Sequence, residues 1–117
     1  MDFNLARDFC SRLPGAVVET KWGSDLVFSV GKKMFAVSWL RDDALRNFSF
    51  KVDEQRFLEF TDRPHIIPAP YMARAKWIQV VDAMAMSDTE ALELLQRSYY
   101  LIFSKLTKKL QREIAHE

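Results

Sequence analysis

Leu26-Val27-Phe28-Ser29-Val30-Gly31-Lys32-Lys33-Met34-Phe35-Ala36-Val37-Ser38-Trp39-Leu40 is the stretch that decides how this chain folds. Two apolar runs, 26–30 and 34–40, flank Gly31-Lys32. Glycine supplies the positive φ that a two-residue hairpin loop needs, so the stretch reads as an antiparallel hairpin. Before it, residues 16–22 are rich in β-branched side chains, and Gly23-Ser24 marks a turn into the hairpin. After it, Arg41-Asp42-Asp43 makes another turn, and residues 47–52 alternate strictly. Phe48, Phe50 and Val52 fall on one face and Asn47, Ser49 and Lys51 on the other, which predicts a strand with one wet face.

Helical spacing brackets these strands. In residues 3–12, Leu5, Phe9 and Leu13 share a side with Phe3, Ala6 and Cys10 beside them; Asp2 or Asn4 can cap the start and Pro14-Gly15 ends it. Asp53 can cap a short helix over 54–61, with Phe57, Leu58 and Phe60 as its apolar side. A long loop follows over 62–75, and loops of that length are often functional. Residues 77–81 read as a fifth strand. Ser87 or Asp88 then caps a long helix towards Ala115, with Leu92, Leu95, Tyr99, Ile102, Leu106 and Leu110 on its buried face. Lys105, Lys108, Lys109 and Arg112 would suit the negative end of its dipole. The expected order is α-β-β-β-β-α-β-α. That is an α+β two-layer sandwich, an antiparallel sheet of about five strands covered on one face by helices, in one domain over 1–117.

Composition sets limits on function. The chain has 117 residues, nine of them phenylalanine, and 17 basic against 16 acidic side chains leave a net charge of +1. A nucleic-acid binder usually carries a clear basic excess, so a basic patch here must arise by local segregation. The single cysteine, Cys10, forms no intrachain disulfide. The amino terminus lacks a leader pattern, and no apolar run reaches membrane length. A cytoplasmic monomer with no membrane partner is expected.

Catalytic chemistry finds no motif. His65 and His116 are the only histidines and are far apart, so no metal site is expected. Cys10, on an apolar helix side, reads as a buried, inert thiol. Asp42-Asp43 and Asp53-Glu54 serve turns and caps. Gly31-Lys32-Lys33 lacks the other residues of a phosphate loop. The expectation is a non-enzyme without a cofactor.

Cations interleaved with aromatics remain. Lys21-Trp22 closes the first strand, Lys32-Lys33 sits at the hairpin tip, Arg41 on the next turn, and Arg74, Lys76 and Trp77 close the long loop. Lysines on hairpin tips can straddle a DNA backbone and exposed rings can stack on bases. Ordinary solvation of the lysines, with Trp22, Trp39 and Trp77 in the core, is the competing reading. Pro68-Ala69-Pro70 stiffens the lead into Tyr71, Arg74, Lys76 and Trp77, which could form a pocket for a small acidic ligand or a protein partner. A purely structural loop, with Tyr71 and Trp77 in the core, is the third reading.

An ordered set of residues resembles the MmcQ/YjbR family of small bacterial proteins. It comprises Leu13-Pro14-Gly15, Trp22, Gly31-Lys32-Lys33-Met34-Phe35-Ala36, Lys51, Pro68-Ala69-Pro70-Tyr71-Met72-Ala73-Arg74, Lys76-Trp77 and Ser98-Tyr99. The resemblance implies a fold similar to the bacterial frataxin CyaY and DNA binding through a double-wing surface of hairpins. On this chain the nucleic-acid candidates are Lys21, Lys32, Lys33, Arg41, Arg74 and Lys76. Frataxin likeness also raises iron binding through an acidic first helix. Here that helix offers only Asp2 and Asp8 beside Arg7 and Arg12, which argues against iron.

Overall fold

The computed structural model describes residues 1–116. The hairpin forms as read: β2 (Asp25–Val30) and β3 (Lys33–Arg41) pair antiparallel across Gly31-Lys32, whose φ angles are +55° and +68°. Both central residues are left-handed, as a type I′ turn requires. β1 (Val17–Lys21) pairs with β2. A second tight turn, Asp42-Asp43, leads to the two-residue β4 (Ala44–Leu45), too short to register as alternation. β5 (Phe48–Lys51) crosses back beside β3.

After β5 a 3-10 turn, Glu54–Arg56, runs into α2 (Phe57–Thr61). Asp53 does not cap it; its carboxylate accepts from Arg97 instead. Leu58 is 78% exposed, because α2 is a single turn that buries Phe60 and packs Phe57 against the core. The long loop contains β6 (Ile66–Pro68), an edge strand on β7 (Trp77–Val80), and a 3-10 turn, Ala73–Ala75. Its prolines hid the strand, since proline is tolerated at a sheet edge and masks the alternation there. The antiparallel sheet has seven strands, ordered β1-β2-β3-β5-β7-β6 with β4 beside β3.

Helices cover one face. α1 (Phe3–Ser11), capped by Asp2, packs on α3 (Asp88–Phe103), capped by Ser87, and α3 lies across β2, β3 and β5. The expected last helix is divided. Thr107 Oγ1 accepts from Leu110 N and starts α4 (Lys108–Ala115) afresh. Leu106 and Leu110 turn back onto the hairpin, where a Cβ on Gly31 would stand 2.7 Å from Leu106 Cδ1. Lys108 and Lys109 therefore open a helix and do not close one, so they gain nothing from its dipole.

Candidate nucleic-acid interface

Cross-strand partners share a face of a sheet. The register places Glu19, Val27, Val37, Ser49, Gln79 and Ile67 in one row across six strands, on the face without helices. Ser49, expected in water, is 6% exposed. The segment around Ala69–Met72 folds over this side and, with Trp22, Asp25, Trp39 and Asn47, walls a concavity of about 500 Å³ above Val37, Ser49 and Gln79. Gln79 Nε2 donates to Ser49 Oγ at 3.2 Å, and Asn47 Oδ1 accepts from Trp39 N at 3.1 Å.

The sequence candidates do not gather at one place. Tyr71 lines the concavity fully exposed, with φ +67°, so it does not anchor the loop in the core. Trp77 is 3% exposed, held in β7 opposite Lys51. Arg74 is exposed on its 3-10 turn and forms no ion pair among the described residues. Lys76, at φ +64°, lays its ammonium 5.1 Å over the Phe57 ring. Arg41 stacks its guanidinium 5.6 Å over Trp39. Lys21 and Lys32 flank a shallow groove with Val17, Glu19 and Ser29. Lys33 goes to the helix side, beside Lys105, Ile102 and Leu106.

Two lysines missed as site residues join these. Lys51 donates its ammonium to the Ala75 carbonyl and its backbone N–H to Ser98 Oγ at 3.0 Å. Burial holds its pKa below the usual lysine value, and the charges of Lys105 and Lys76 push it the same way against an opposing pull from Glu54. Lys33, Lys51, Lys76 and Lys105 thus converge around the end of the sheet that holds the Gly31-Lys32 turn. Lys51 could have been noticed from its place at the strand end. Lys105 could not, because its approach depends on the break between α3 and α4.

Other chemistry is sparse. Cys10 is fully buried, and burial pushes its thiol up to about 12. Among the described residues no group of His, Cys, Asp and Glu could hold a metal ion. None of the helices described is long and apolar enough to cross a membrane.

Comparison with known proteins agrees with this architecture. The family model YjbR matches residues 11–101. A crystal structure of protein DR2400 of Deinococcus radiodurans, with the domain DUF419, is similar at 28% identity and a TM-score of 0.83, covering 97% of this chain and 87% of that one. A protein from Pseudomonas syringae shares the fold at 19% identity and a TM-score of 0.70, over 87% of this chain and 99% of that one. No curated protein matches. The chain belongs to the YjbR family.

Proposed function

We propose that the chain is a non-enzymatic nucleic-acid-binding protein whose phosphate contacts come from the lysine-rich end of the sheet. The convergence of Lys33, Lys51, Lys76 and Lys105 carries this reading. Burial and the repelling charges of Lys105 and Lys76 lower the pKa of Lys51 against the pull of Glu54, and Lys33 lines a groove with Lys105. A polyanion relieves that repulsion and releases counterions on binding. Lys32, exposed on the adjoining turn, extends the same surface. The hairpin tips contribute unequally. The Gly31-Lys32 tip is cationic, whereas the Asp42-Asp43 tip would repel phosphate. The contact is therefore one wing and the neighbouring helix junction, not two equivalent wings.

Anisotropy of a labelled short duplex, followed from about 50 to 200 mM salt, tests the proposal. Affinity should fall steeply with salt. Lys33→Ala combined with Lys105→Ala should lower the log–log salt slope by about two and weaken all sequences alike. Absence of binding at low salt, or an unaltered slope in the double variant, rejects it.

A further inference from the structure

We infer that the concavity on the helix-free face receives one unpaired nucleobase. Trp22 and Tyr71 reach it from opposite parts of the sheet, the first from the β1–β2 turn and the second from the segment after β6. Trp22 is 69% exposed and Tyr71 wholly so. Their φ angles are +52° and +67°. A bulky side chain is strained there, and burial of the ring does not offset that strain at either position. Exposed rings beside a concavity are stacking platforms for flat molecules.

Lining groups choose the kind of flat molecule. No lysine or arginine lines the concavity itself, and Arg41 stacks on the Trp39 ring that walls it, so a phosphate is left to the rim. Asp25 is its one acidic side chain and has no ion pair among the described residues. Asn47 spends its carbonyl on Trp39 N and keeps its amide N–H groups; Gln79 donates one amide N–H to Ser49 and keeps its carbonyl and its second N–H. Donor, acceptor and carboxylate together match the edge of a base with an exocyclic amino group, such as guanine or cytosine. About 500 Å³ admits a base with its sugar. The adjoining groove, with Lys21 and Lys32, leaves cations outside for the phosphates.

For a strand, this inference rests on the nucleic-acid reading above; for a free nucleoside it does not. Trp22→Asn with Tyr71→Asn removes both rings while keeping a residue that tolerates positive φ. In anisotropy titrations a short single strand should bind the unmodified chain more tightly than a duplex of similar length. The aromatic double variant should lose about tenfold for the single strand and nothing for the duplex, whereas Lys33→Ala with Lys105→Ala should weaken both. Unchanged single-strand affinity in the aromatic variant overturns the inference and leaves the lysine surface standing. If no nucleic acid binds at all, guanosine decides. Saturable shifts of the Trp22 indole N–H resonance, with binding lost in Tyr71→Asn, support the pocket without the strand. No shift rejects the pocket.

Discussion

On the helix side of the sheet, Phe28, Phe35, Phe48 and Phe50 are fully buried, with Phe28 and Phe48 stacked at 5.7 Å and Phe35 edge-on to Tyr99 at 5.3 Å. On the other side lies the cross-strand row Val27, Val37, Ser49 and Gln79, roofed in part by the Ala69–Met72 segment. The same strands thus present a dry, aromatic face and a mixed, concave one. Rings buried against helices stabilise the fold; rings left in strained turns on the open side do not. The difference separates the residues that hold the molecule together from those free to meet a ligand.

Core truncation should break this contrast if it is wrong. Phe50→Ala removes a wholly buried ring and should cost about 3–5 kcal/mol. Val37→Ala, on the half-buried open face, should cost about 1 kcal/mol. Urea denaturation of both variants measures the gap. Equal losses would make the open face a second core and leave no room for the concavity as a site.

Strict alternation at Phe48, Phe50 and Val52 made the dry face legible, because only burial against helices rewards that pattern. Gly31-Lys32 made the register legible through turn geometry. The open face was harder. Ser49 looks solvated locally and is covered by residues twenty positions away. β6 hides among prolines, and the break at Thr107 hides in a continuous apolar pattern, since leucines at 106 and 110 suit either one helix or two. Of the candidate site, the lysines and rings were visible one by one. Their partition, with Lys33 on the helix side and Tyr71 on the open side, is tertiary and was not.

A smaller effect concerns the junction between the two layers. The ladder between β3 and β5 ends at Ala36 and Phe50, which leaves Lys51 N–H without a strand partner. Ser98 of α3 supplies one: its hydroxyl accepts from Lys51 N at 3.0 Å and donates to Phe35 O at 2.7 Å. Ser98→Ala would leave both backbone groups unpaired and should cost about 2 kcal/mol. Faster amide exchange at Lys51, with Ile78 unaffected, would locate the loss at the junction. If exchange rises evenly along β5, the hydroxyl is not what secures that end of the strand.

The smallest effect separates the helix layer from the open face by charge. Arg63 grips Glu90 with two hydrogen bonds of 2.7 and 2.8 Å, and Arg97 grips Asp53 at 2.8 and 2.9 Å. Both pairs tie α3 to the segment after β5. The arginine hydrogen bonds hold each carboxyl below its ordinary value, against an opposing burial effect. A carboxyl depressed in the folded state binds protons more readily once unfolded. Its contribution is complete above the unfolded pKa, about 4.3 for glutamate and 3.9 for aspartate, and disappears as pH falls through the lower folded value. The Arg63–Glu90 pair is a third exposed, so its share is about 1 kcal/mol at most. Urea midpoints should therefore fall between pH 6 and pH 3, and Glu90→Gln should lower the midpoint at pH 6 while shrinking that fall. A fall of the same size in Glu90→Gln would mean that this pair does not tie α3 down, and that acid acts on the fold through other carboxyl groups.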